Sequence, residues 1–277
     1  MFITDTLKSY NSKAIKKILN LPDASRRFLQ TYTSRIYPNP IIILGHAKSG
    51  TTAIAKLLGE VSGKSVTIDP IFRIDPEGVL NHQLFNRELA LSTLVQSYKF
   101  YFSTPLWKDP KLTFFYDELR QFFPSATYIF VIRDPRDTIR SFLNRRGIPG
   151  DLDNLPSPLE EKAGGIARLP IVAGNNYIER LANRWNCATD VYLNHPDDFC
   201  LVRYEDFCLD KPGTIASLAK KVGLHPTNDL AGHLNKQYQP KGNHAVSWSK
   251  FYKSSHLHSI ETICKERMDH FNYQVSK

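Results

Sequence analysis

Apolar positions along the chain fall into short, dense runs separated by stretches of helical spacing. Ile41–Leu44 and Tyr128–Ile132 are the longest of these runs, and they are far too short to cross a bilayer. Bounded by turn residues, they read as buried strands. Ser65–Ile68 is a short β-branched strand ending at Asp69-Pro70, and Phe199–Val202 is a further strand. Between them Thr51–Glu60 has helical spacing. A second helix opens at Asp134-Pro135, with Asp suited to the N-cap and Pro to the first helical position. A third opens at Asp210-Lys211-Pro212 and closes at Gly223. Strands alternating with helices predict an α/β fold, a central parallel sheet joined by right-handed crossovers with helices on both faces. Ligands then belong beyond the carboxyl ends of the strands.

Two segments depart from this alternation. Residues 1–38 place Lys13, Lys16, Lys17, Arg26, Arg27 and Arg35 beside apolar Ile15, Ile18, Leu19, Phe28, Leu29 and Ile36. The spacing is amphipathic and predicts a basic helical extension packed on the main body, with contact to a membrane surface or an acidic partner as the alternative. Pro38 and Pro40 end that pattern. Residues 147–175 carry Pro149, Pro156, Pro158 and Pro170 among Gly147, Gly150, Gly164, Gly165 and Gly174. No period survives there, and the segment reads as a substrate lid, or else a passive surface excursion. No internal repeat or low-complexity tract divides the chain, and 1–277 is expected to form one domain.

Composition narrows the classes. Hydrophobic residues at 42% and charged residues at 23% lie near the globular norm, which sets disorder aside. No apolar core of a signal peptide is present near the start, so a soluble, cytoplasmic protein is expected. Cys187, Cys200, Cys208 and Cys264 show no C-x-x-C pairing, which points to reduced thiols rather than zinc or a disulfide framework. The net charge of +9 suits a polyanionic ligand, nucleic acid or an acidic surface.

The candidate chemistry starts where the first strand empties into a loop. Gly45 and Gly50 keep the spacing of the nucleotide-binding G-x-x-x-x-G-K-[ST] loop, but Thr51 stands where that pattern has lysine, and the cation is Lys48 inside the loop. This arrangement suits an anion at a helix N-terminus and is a poor design for magnesium–nucleotide chemistry. Arg133 emerges at the end of the strand Thr127–Ile132, where a guanidinium can grip a phosphate bidentately. Ser141, two turns into the following helix, can add a hydroxyl. Tyr204 ends another strand and can stack on a purine, while Arg203 and Glu205 beside it read as a surface ion pair. Near the end of the chain Lys241-Gly242-Asn243 forms a glycine-interrupted basic turn.

In this order, over roughly residues 40–250, these segments resemble the sulfotransferase superfamily, enzymes of P-loop-like architecture that use 3′-phosphoadenosine-5′-phosphosulfate (PAPS). The resemblance implies that Lys48, Ser49, Gly50, Thr51 and Thr52 form the 5′-phosphosulfate loop and that Arg133 and Ser141 hold the 3′-phosphate. It implies that Tyr204 lies near adenine and that Lys241 and Gly242 return to the 3′-phosphate, although Pro240 replaces the arginine that usually precedes that lysine. Lys108-Asp109-Pro110 is similar to the Lys-x-Pro element of bacterial and tyrosylprotein enzymes, whose lysine faces the reacting sulfate. The Lys-Thr-His triplet of the animal cytosolic enzymes, with its histidine base, is absent, which makes the chain look closer to the bacterial and tyrosylprotein-type branch. In that branch the base is a carboxylate after the second strand. Asp69 holds this place and is preferred to His46.

The implied reaction is metal-independent transfer of a sulfuryl group from PAPS, as co-substrate, to a hydroxyl or amine of a small-molecule, glycolipid or peptide acceptor. Lys48, Asp69 and Lys108 are the catalytic candidates, and no nucleic-acid partner is expected. Two competitors remain at this point: a P-loop nucleotide-dependent kinase, and a non-catalytic anion- or nucleic-acid-binding module.

Overall fold

The computed structural model describes residues 33–162, 172–236, 238 and 246–276. Five strands form one sheet in the order β2-β3-β1-β4-β5: β1 (Ile41–Gly45), β2 (Val66–Ile68), β3 (Leu106–Lys108), β4 (Thr127–Ile132) and β5 (Phe199–Arg203). Every pairing is parallel. The four strands expected from the apolar runs are present. β3 was not legible as a strand from its own residues, because Leu106, Trp107 and Lys108 are too few to establish a period.

The period-2 alternation of β1 decides which core each residue enters. Ile43 joins Ile129, Val131 and the buried side of the helix Thr51–Ser62, where Ile54, Leu57 and Leu58 are closed off from solvent. Ile42 and Leu44 face the other way, into a larger core with Trp107, Phe130 and Trp185. Each such aliphatic side chain contributes about 1.5–3 kcal/mol relative to exposure. Both faces of the sheet are thereby covered, as an all-parallel sheet requires.

The helix Pro135–Arg146 starts as expected, with the Asp134 carboxylate accepting from the Arg136 N–H at 2.8 Å. Arg136 is itself buried and pairs with Asp134 at 2.6 Å and Glu261 at 2.7 Å. Its guanidinium also lies 3.9 Å from the Trp248 ring centroid. These contacts tie the turn after β4 to the C-terminal helix Ser254–His270. The expectation of an Arg203–Glu205 ion pair is corrected: Glu205 accepts from the Asp134 N–H at 3.0 Å and from the Tyr273 hydroxyl at 2.8 Å, while Arg203 approaches Asp206 at 3.7 Å.

Residues 1–32, most of the expected basic extension, lie outside the described residues, as do 163–171 of the expected lid and Lys241 and Gly242. Within 147–162, the carbonyls of Pro149 and Gly150 are bonded to Tyr177 and His256 at 2.8 Å each, and Asp153 pairs with Lys253. That part is held against the C-terminal helix and lines neither cavity described below. Among the described residues no helix is long and apolar enough to cross a membrane, and the four cysteines are free.

Candidate active site

Each of the five strands delivers a side chain or loop, at or just past its carboxyl end, into one cleft of about 870 Å³. β1 delivers the loop to Gly50, β2 Asp69, β3 Lys108, β4 Arg133 and β5 Tyr204. Parallel register alone brings together positions scattered over more than 150 residues of chain.

The loop is shaped by two glycines and a threonine. Gly45 has φ of +131°, and a Cβ there would lie 2.3 Å from the Val131 carbonyl oxygen. Its N–H donates to Thr113 Oγ1 at 2.9 Å, and the same hydroxyl donates back to its carbonyl at 3.0 Å. Gly50 has φ of +100°, with the Tyr204 ring 2.2 Å from where a Cβ would be. We expect Gly50→Ala to displace Tyr204 and open the loop, destabilising the protein by about 1–3 kcal/mol, the consequence of a strained φ plus a clash. Chemical denaturation reads this directly, and unchanged stability would refute the role given to that glycine.

Gly50 is the N-cap of the helix Thr51–Ser62, which has neither a side-chain cap nor an acid in its first turn. The positive end of its dipole is therefore directed into the cleft. Thr51 and Thr52 line it with Lys48. Ser49 does not: its N–H and its hydroxyl both donate to the His46 carbonyl, at 3.1 and 2.7 Å. It closes the loop from behind. Lys48 adopts φ of +77°, and burial, with Arg145, Lys108, Arg133 and Arg146 nearby, lowers its ammonium to about 8.

Arg133 is buried, with Nη1 donating to the Lys48 carbonyl at 3.1 Å and its guanidinium 4.6 Å from the Tyr204 centroid. Its carbonyl accepts from Trp185 Nε1 at 3.0 Å, while its own Nε is buried without a partner among the described residues. A phosphate oxygen would satisfy that donor. Ser141 lines the same cleft.

Opposite the loop, Lys108 Nζ donates to Asp69 Oδ1 at 2.8 Å, with the lysine side chain 3% exposed and the aspartate 32% exposed. The pair is created by the β2–β3 register, in which Ile68 stands beside Lys108 and the Asp69 N–H donates to the Lys108 carbonyl at 2.9 Å. His46, the other candidate base, is buried, held through Nδ1 to the Ala47 carbonyl at 2.7 Å, and does not line the cleft. Burial and then Arg184 lower its imidazole to about 3, so it stays neutral.

Sequence reasoning missed Asp109, Arg145, Arg146, Arg184, Lys211 and Tyr238, all of which line the cleft. Asp109 takes the N–H groups of Ile71 and Lys111 on its two oxygens, at 2.8 and 2.9 Å; burial and then Asp69 raise its carboxyl to about 6. Arg184 had a readable signal, since it is a charge on the apolar face that also carries Leu181, Trp185 and Ala188.

A family model described as Sulfotransferase family matches residues 77–229, more than half of the chain. The matched stretch contains Lys108, Arg133, Ser141 and Tyr204, whereas the Gly45–Gly50 loop and Asp69 precede it. Among solved structures, a sulfotransferase from Mycobacterium avium is similar at 13% identity and a TM-score of 0.55, covering 96% of this chain and 82% of that one. A mouse sulfotransferase complexed with PAP is similar at 12% identity and a TM-score of 0.51, covering 87% and 88%. These two likenesses are of fold. No curated protein sequence matches the chain.

Proposed function

The chain belongs to the sulfotransferase family, and we propose that it transfers a sulfuryl group from PAPS to a hydroxyl or amine of a small-molecule, glycolipid or peptide acceptor. The observation that carries this reading is the convergence of Lys48, Arg133, Tyr204 and the Asp69–Lys108 pair on one cleft at the carboxyl ends of the strands. The donor supplies a sulfuryl group already activated by a phosphate leaving group. What the protein must add is chiefly positioning and charge stabilisation, as in phosphoryl transfer.

Lys48 and the N-terminus of the helix Thr51–Ser62 stabilise negative charge on the departing 5′-phosphate. Arg133 and Ser141 hold the 3′-phosphate, and Tyr204, packed between Gly50 and Arg133, fixes the guanidinium that does so. Lys241 and Gly242 keep the role the family pattern suggests for them, as a second hold on that phosphate. Lys108 spends one of its three N–H donors on Asp69, leaving two to face the sulfuryl oxygens. Asp69 Oδ2 takes the proton from the attacking hydroxyl or amine.

Arg133→Ala is expected to weaken binding of the product 3′-phosphoadenosine-5′-phosphate (PAP) by about 2 kcal/mol, the worth of a desolvated charge-assisted contact. Isothermal calorimetry measures it, and unchanged affinity would refute the assignment of the 3′-phosphate. Because lysine and a helix terminus do the neutralising, turnover of ³⁵S-labelled PAPS is expected to persist in excess EDTA. Activity lost to the chelator and restored by magnesium would contradict that.

A further inference from the structure

A second cavity, of about 740 Å³, adjoins the cleft, and Phe72, Lys111, Arg146 and Arg184 line both. Three of the four residues at the junction are cations. Arg184 is 7% exposed, and its guanidinium lies between two rings, 5.5 Å from the Phe114 centroid and 5.7 Å from that of Phe142. Its Nε is buried without a partner among the described residues. Arg146 lies over the same Phe142 ring, 3.7 Å from its centroid. Among the described residues neither arginine has a carboxylate within ion-pair distance. Glu77 and Glu88 lie elsewhere on the second cavity's wall and pair with neither.

A buried guanidinium with no counter-charge is costly unless a ligand supplies one. Arg184 is such a group, and with half-buried Arg146 and Lys111 beside it, in the cleft that Asp69 also lines, it forms a site for negative charge. We propose that the acceptor carries an anionic group, a phosphate or a carboxylate, which Arg146, Arg184 and Lys111 hold at the junction of the two cavities. This rests on the sulfotransferase reading and names the substrate class for that same site. Burial and then Arg146 lower Arg184 to about 10, the cost that an incoming anion relieves. Farther along, the Asn81 Oδ1 is buried without a partner among the described residues and lines the second cavity, where it can accept from a hydroxyl on the rest of the molecule.

The test is calorimetry on the full chain saturated with PAP, so that both phosphate positions of the donor are filled, titrated with phenyl phosphate, benzoate and phenol. At least one anion is expected to bind about tenfold or more tightly than phenol, and which one wins tells phosphate from carboxylate. Arg146→Gln and Arg184→Gln should each bring that preference to within about twofold while PAP affinity holds, which also shows that the variant is folded. Phenol binding as well as both anions, neither anion binding, or the preference surviving in both variants would overturn the proposal. So would a loss of PAP affinity in both, because the arginines would then belong to the donor. Failure of the unsubstituted protein to bind PAP would instead remove the sulfotransferase reading, and this inference with it.

Discussion

Lys48→Met is expected to lower the transfer rate by roughly 10²–10³-fold, the loss typical when one preorganised donor to developing charge is removed. The structure supports so large an effect because Lys48 is set in a left-handed backbone conformation inside the loop, next to the helix N-terminus and within a cluster of cations. Burial, and then that cluster, lower its ammonium to about 8, which fixes the sign of a pH dependence. Below about 8 the unliganded protein already holds the proton that a dianionic 5′-phosphate prefers. Above it, binding must take up a proton, so PAP affinity falls by up to about tenfold per pH unit. The methionine variant should lose this dependence. Single-turnover rates and calorimetry between about pH 7 and 9.5 measure both, and an equal slope in the two proteins would assign the titration to another group.

Asp69→Asn should reduce transfer by roughly 10²–10⁴-fold, the usual contribution of a positioned general base, while leaving PAP affinity within about twofold. The substitution is a mild one structurally. Asp69 sits at φ of +49°, a conformation asparagine tolerates, and the amide oxygen can still accept from Lys108 Nζ. What is lost is the ability of Oδ2 to take a proton. Asp109 does not replace it, since both of its oxygens are taken by backbone N–H groups that hold the Asp69 turn against Lys111. If the asparagine variant kept its rate with acceptors whose deprotonation is required, the base would have to be sought elsewhere in the cleft. Asp109→Asn with the same assay would then be the next measurement.

Much of the fold was legible because its signals are local. The apolar runs at Ile41–Leu44 and Tyr128–Ile132 are long enough to identify strands, and Asp134-Pro135 marks a helix start by its own hydrogen bond. The Gly45–Gly50 spacing identified the loop because only glycine fits where a Cβ would strike Val131 or Tyr204. β3 was harder. Its three residues acquire a strand conformation from pairing with β1 on one side and β2 on the other, and a period cannot be read from so few positions. Ser49 shows a different limit: the family resemblance placed it with the loop residues but could not say that its hydroxyl would turn inward to the His46 carbonyl.

The cleft separates the two kinds of information most clearly. The order of residues determined which functional groups the chain owns and at which strand ends they emerge: the cation inside the loop, the arginine after β4, the tyrosine after β5. Only the tertiary structure decided which of them touch. Asp69 and Lys108 become a pair because β2 and β3 are neighbours in parallel register. Arg146 and Arg184, on helices well separated in the chain, come to share the junction of two cavities, with neither ion-paired to a carboxylate among the described residues. Local spacing is governed by backbone geometry over a few residues, whereas burial, pairing and the cost of an uncompensated charge depend on what the rest of the chain places alongside.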